Sequence, residues 1–368
     1  MIEFQTIMDR ISSGLKDQPY HILNQSGNSN YYSDFEKTVK ILSDAGFFKN
    51  ANTVEVFKKK LQIGNAVFNH NLYFQNIAEV MFWRYAIEKN LTYELEKKVS
   101  TENNCDVDLF ISHGSYRYNV EIKTPNNDSL QKEENSQVLK VTVLGRVFSK
   151  EKAEEEKSKI TKDIFAPIID KSVNSYEKVE FLKNQDNRTL DYLKSAQSKF
   201  TYTDNNSLNV LVIAVDIGEI EDYFSHLTFG ASGLFTQNSF CTHDTYDKVD
   251  FVLLTSLVTG HKKYNDIDNA WSLSNYFNLL VYNPFSKKHK KELPTQEHVS
   301  NEYRKIAGLF PDDTERFSYC FVEFLKKQEK DGLPIEGIFM SSYFAEYYPH
   351  LWKIETVNAG GKMQNNDE

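Results

Sequence analysis

The residues best able to do chemistry lie between 105 and 124, which read Cys-Asp-Val-Asp-Leu-Phe-Ile-Ser-His-Gly-Ser-Tyr-Arg-Tyr-Asn-Val-Glu-Ile-Lys-Thr. Two alternating runs flank a Gly-Ser pair, a hairpin signal. Val107, Leu109 and Ile111 share one face of the first run, and Tyr118, Val120, Ile122 and Thr124 share one face of the second. These can pack as a core, since side chains alternate across a strand. The opposite faces carry Asp106, Asp108 and Phe110 on one strand and Asn119, Glu121 and Lys123 on the other. A two-residue loop with Gly114 first and Ser115 second fits a type II′ turn. That register sets His113 opposite Tyr116 and Asp108 opposite Glu121. A turn at His113–Gly114 would bring Asp106 there instead. The glycine-first turn is the better chemistry, so Asp108 is the expected ligand and Asp106 the reserve.

Two carboxylates on adjacent strands, with the Ile122 carbonyl beside them, offer the hard oxygen ligands that Mg²⁺ or Mn²⁺ takes while leaving room for water and phosphate. A cation held there would neutralise charge on a phosphate and make a water more acidic. Lys123 points to the same face, where it could stabilise developing negative charge or orient the attacking water. The competing reading is a solvated ladder of alternating charges formed by Asp106, Asp108, Glu121 and Lys123.

An acid on one strand, a turn, and then Glu121-Ile122-Lys123 thirteen residues after Asp108 resembles the PD-(D/E)XK nuclease superfamily, with its restriction-endonuclease-like fold. Val107 stands where many members have proline. The resemblance covers about 140 residues, from Leu72 to Val215. It implies Mg²⁺- or Mn²⁺-dependent hydrolysis of nucleic-acid phosphodiesters, with DNA favoured over RNA, and restriction or antiviral defence as context by analogy. It also implies an acid on the helix before the sheet, a place Glu79 occupies, and a Gln or Lys on the helix after the Glu-x-Lys strand. Gln197 fits there, in line with Leu193 and Phe200, with Lys194 on nearly the same face. A function of another class is a non-catalytic assembly or regulatory protein that keeps the fold. A retired site usually loses the lysine or a carboxylate, and this one is complete.

The elements that must position these residues can be read around them. A helix over Leu72–Lys89 has Phe74, Ile77, Ala78, Met81, Phe82 and Tyr85 at helical spacing. A strand at Thr92–Val99 precedes the hairpin. A helix over Thr189–Phe200 leads into Leu208–Val215, an unbroken apolar run that suits a strand buried on both faces. Val249–Leu254 is another. Upstream, Ser33 and Glu36 form a capping-box signal, with Phe35, Val39, Ile41 and Leu42 as apolar face and Gly46 as terminator. A short helix is expected over Val54–Leu61. Nothing before residue 66 signals chemistry. Lys150–Lys162 reads as a solvated helix with internal ion pairs, Asp313–Glu329 as a helix, and Ala359–Glu368 as a disordered tail.

The expected fold is α/β (α+β): a restriction-endonuclease-like core with a mixed central sheet flanked by helices. The core spans 66–260, between a helical region at 1–65 and a mixed region at 261–358.

Composition narrows the class. Hydrophobic residues at 40% with 21 Tyr and 26 Phe allow a large core. The net charge of −9 gives no long-range attraction to a polyanion, although an acidic metal site lowers that balance. Cys105, Cys241 and Cys320 lie too far apart for zinc or redox motifs. With no export signal at Met1–Leu15 and no membrane span, a cytoplasmic protein with reduced thiols is expected. Gly230 and Gly233 lack the Lys-Ser/Thr of a phosphate loop. The histidines show no ligand pair, with His113 in the turn. Lys287, Lys288, Lys290 and Lys291 form a basic cluster, read as a charged loop. Homo-oligomers and protein partners are both compatible with the chain.

Overall fold

The computed structural model describes residues 2–27, 29–99, 106–125, 138–142, 155, 159, 178–182, 185–202, 204, 206–228, 233–288, 294–331 and 336–352. The tail at 359–368, Cys105, Lys290, Lys291, Gly230 and most of the 150–162 run lie outside these. Within that run Glu155 and Lys159 form an i,i+4 ion pair at 3.0 Å.

Four helices lead in: α1 (Phe4–Leu15), α2 (Ile22–Gln25), α3 (Asn30–Asp44) and α4 (Ala51–Lys60). α5 (His70–Glu88) follows, then strands β1 (Thr92–Lys98), β2 (Asp106–His113) and β3 (Tyr116–Lys123). β4 (Val138–Thr142) and β5 (Lys178–Leu182) pair in parallel as a separate two-stranded sheet. Next come α6 (Gln185–Lys199), β6 (Ser207–Ala214), α7 (Ile220–Thr228), β7 (Phe251–Thr255), α8 (Leu257–Lys262) and β8 (Asn278–Tyr282). The chain closes with α9 (Gln296–Ile306), α10 (Thr314–Asp331) and α11 (Glu336–Tyr347).

Among the described residues the main sheet has six strands in the order β1-β2-β3-β6-β7-β8. β3, β6 and β7 are parallel, and the other neighbours are antiparallel. The parallel centre explains the sequence: every residue of β6 and β7 is buried, as expected where both faces are covered. β8 was not foreseen, because its short Asn-Leu-Leu-Val-Tyr run sits in a region of mixed pattern. It extends the sheet from beyond residue 260. One continuous core runs from Ile7 to Leu351. No helix among the described residues is long and apolar enough to cross a membrane.

α3 begins at Asn30, not at Ser33 as the capping signal indicated, and Ser29 is its N-cap. The earlier start winds Tyr31 into the core, where its hydroxyl meets His261 Nδ1 at 2.8 Å. Tertiary packing overrides the local cap. α3 then fixes α5: the Arg84 guanidinium donates to Asp34 at 3.2 Å and to Thr38 Oγ1 at 2.9 Å, and Asp34 also accepts from the Trp271 amide. A buried pair with its remaining lone pairs satisfied holds one geometry, and α5 carries Glu79.

Candidate active site

The hairpin has the register expected of its turn. His113 lies opposite Tyr116, and the ladder runs to Leu109 opposite Val120. Gly114 has φ +58° while Ser115 stays in the ordinary region, the pattern of a type II′ turn, which places glycine first. Beyond Leu109–Val120 the two strands begin to part, and a side chain takes over from the ladder. Asp108 Oδ2 accepts from the Ile122 N–H at 2.7 Å. Ile122 therefore enters the site through its amide, donating to the very carboxylate it was expected to assist.

Glu121 is the centre. It is 0% exposed, which excludes a solvated ladder. Its Oε1 lies 2.7 Å from Lys123 Nζ and 2.6 Å from Lys199 Nζ. Among the described residues neither of its buried oxygens has a hydrogen-bond partner, and Oε2 lacks an ion-pair partner as well. A buried carboxylate oxygen left in that state costs several kcal/mol by desolvation unless a cation or donor completes it. Among the described residues Asp106 Oδ1 is also buried without a hydrogen-bond partner, across from Lys98 at the start of β2.

Lys199 was not foreseen. Its signal was masked by Gln197, which looked like the polar member of the α6 stripe. Gln197 is not brought to the site. Its amide group bonds the 244–248 loop, donating to Asp247 at 2.7 Å and to the Asp244 carbonyl at 3.2 Å, and accepting from the Lys248 amide. The chain after α6 is pinned by Asn119, whose Nδ2 donates to the Thr201 carbonyl at 3.1 Å and to Asn209 Oδ1 at 2.7 Å. Asn119 and Glu121 share a face of β3, so anchoring Thr201 at one delivers Lys199 to the other.

The second acidic group comes from α5 and β1. Glu79, nearly fully buried, meets Lys60 Nζ at 2.5 Å. Lys60 is the last residue of α4, so the N-terminal region does reach the site, against the sequence expectation. Asn76, one turn before Glu79, donates to the Lys60 carbonyl at 2.6 Å. One residue of α5 thus caps α4 and the next turn takes its terminal ammonium. Lys60 Nζ also lies 3.4 Å from Glu96 Oε1 and 4.9 Å from the Trp83 ring. Glu96 has φ +48° inside β1. Its neighbours Leu95 and Lys97 pair with Leu109 and Val107, so it stands across from Asp108. A non-glycine residue held there costs about 1–2 kcal/mol, and such strain tends to gather at functional sites.

The electrostatics follow from this crowding. The Asp108 carboxyl is pushed up to about 7, first by burial and then by the neighbouring Glu121 and Glu79, against the opposing pull of the Ile122 amide and Lys199. Glu79 is also raised, first by burial, with Lys60 holding it back and Glu96 and Glu121 adding repulsion. Burial works against the Lys60 ammonium, yet Glu79 and then Glu96 hold its pKa above the ordinary value. Among the described residues no three Asp, Glu, His or Cys side chains form a closed ligand set. Asp108 and Glu121 instead offer a two-carboxylate site. That fits Mg²⁺, which commonly takes one or two carboxylates and keeps several waters.

Beside the hairpin, a shallow crevice opens at the carboxyl ends of β3 and β6, between Asn71, Phe74, Thr124, Val215 and Lys262. Open parallel sheets bind their ligands at that end. Of the basic cluster expected as a charged loop, Lys287 is exposed, whereas Lys288 is turned inward to Asp250 at 3.4 Å and donates to the Ser207 carbonyl.

Comparison of the chain with protein-family models, with curated proteins and with solved structures found no match.

Proposed function

We propose that the protein is a metal-dependent nuclease with a PD-(D/E)XK, restriction-endonuclease-like core. The observation that carries the reading is the fully buried Glu121, with one oxygen on two lysines and the other without a partner, beside an Asp108 carboxyl held near neutrality. Asp108 and Glu121 would hold Mg²⁺ or Mn²⁺, which when bound supplies Lewis-acid polarisation of the phosphodiester and of a water. The chain's own groups do the rest. Lys123 and Lys199 present fixed positive charge where negative charge grows on the phosphate. The Ile122 amide orients Asp108. Strand β3, held between β2 and β6, keeps these groups from rearranging during the reaction.

A second reading is a non-catalytic assembly or regulatory protein, favoured by the lysines that pair with Glu79 and Glu121. Incubation of the protein with plasmid, linear and single-stranded DNA and with RNA, with and without Mn²⁺, separates the two. Mn²⁺-dependent cleavage, strongest on DNA, is expected. Intact substrates of every kind would favour the second reading.

A further inference from the structure

The site holds more cationic machinery than the hydrolysis above uses. Four carboxylates, Glu79, Glu96, Asp108 and Glu121, crowd around the mouth of the hairpin, and they divide into two pairs. Asp108 and Glu121 lie at the fork of β2 and β3. Glu79 and Glu96 converge from α5 and β1 on a single atom, Lys60 Nζ, at 2.5 and 3.4 Å. Two acids from separate elements meeting at one positive centre is an arrangement that two-metal hydrolases fill with a second divalent ion. Here an ammonium stands there.

We propose that Lys60 is a built-in replacement for a second metal ion, so that this site takes one divalent cation, at Asp108 and Glu121. The inference rests on the metal-dependent reading of the site. Its own support is geometric. The Lys60 side chain is only 17% exposed, and its backbone is fixed by the Asn76 amide, so the ammonium is placed rather than adrift. The Trp83 ring at 4.9 Å covers it with a face that favours cations over water. Glu96 reaches it from a left-handed backbone position, a conformation that the strand pattern does not call for. A lysine carries one charge, forms no inner-sphere bonds and cannot activate a water. Lys60 therefore neutralises the outer acid pair while leaving the inner pair as the sole place for Mg²⁺ or Mn²⁺.

The test is the Mn²⁺ stoichiometry of the full-length chain, by calorimetry and by the paramagnetic signal of free Mn²⁺, with no substrate present. Wild type and Lys60→Arg should each bind one ion. Lys60→Met should bind two, the second more weakly, because Glu79 and Glu96 regain a cation vacancy. Two ions in wild type would overturn the proposal while leaving the nuclease reading intact. No ion in wild type would overturn both. One ion in a folded Lys60→Met would show that Lys60 is a structural partner only. If Lys60→Met fails to fold by circular dichroism, the double variant Lys60→Met/Glu79→Gln decides, since it removes the buried acid's charge with its partner. It should bind one ion with wild-type affinity. Loss of that ion would make Glu79 a ligand of the first site and refute the assignment.

Discussion

Replacing Asp108 by Asn should make the metal-free protein more stable above neutral pH while removing its affinity for Mn²⁺. The amide keeps an oxygen to accept from the Ile122 N–H, now at 2.7 Å, so the fork of the hairpin is preserved. What disappears is a charge the fold resists. Asp108 is held at about 7 against an ordinary 3.8, so the folded state binds its proton more tightly than the unfolded chain. Stability from that proton is fully present below about pH 4 and is lost as the pH rises through about 7. At about 1.4 kcal/mol per pH unit, ionisation costs the fold up to about 4 kcal/mol by pH 8. Part of this is shared with Glu121 and Glu79, so about 2–4 kcal/mol is the working range. Urea unfolding of both proteins in EDTA, from pH 4 to 8, measures it. The stability difference should be near zero at pH 4 and should grow through pH 7 in favour of Asp108→Asn. A variant equally stable at every pH, or less stable at pH 8, would refute the crowding of carboxylates around Asp108.

Lys123→Ala should leave the fold and Mn²⁺ binding largely intact and slow cleavage by about 10²–10³, the usual loss for one preorganised charge at a developing anion. Single-turnover rates beside calorimetric affinities check this. Asp108→Ala should abolish Mn²⁺ binding and Asp106→Ala should weaken it less, because Asp106 lies two residues outside the fork. Loss only in Asp106→Ala would mean that the ion sits lower on β2.

How far the sequence reached depends on which contacts are local. The β2–β3 register was legible because Gly114 and Ser115 fix the parity of both strands, and parity decides which residues share a face. β6 and β7 were legible because burial on both faces leaves unbroken apolar runs. Lys199 and Lys60 were not. Each meets its carboxylate through the packing of an element distant in sequence, and on its own helix each looks like an ordinary terminal lysine complementing the helix dipole. Gln197 illustrates the converse. A polar residue in an apolar stripe needed a partner, and it found one in the 244–248 loop, away from Glu121. The backbone of Glu96 leaves no trace in the alternating Tyr-Glu-Leu-Glu pattern of β1. The start of α3 was misread because a local capping signal competes with the burial of Tyr31, and burial wins.

The most direct test is anomalous diffraction from crystals of the wild-type chain grown with Mn²⁺. The expected result is one strong Mn²⁺ peak beside the Glu121 and Asp108 carboxylates, with Lys60 still between Glu79 and Glu96. A map with no peak at this pair of carboxylates, under conditions that saturate binding in solution, would contradict the assignment of Asp108, Glu121 and Lys123 as a metal-dependent active site.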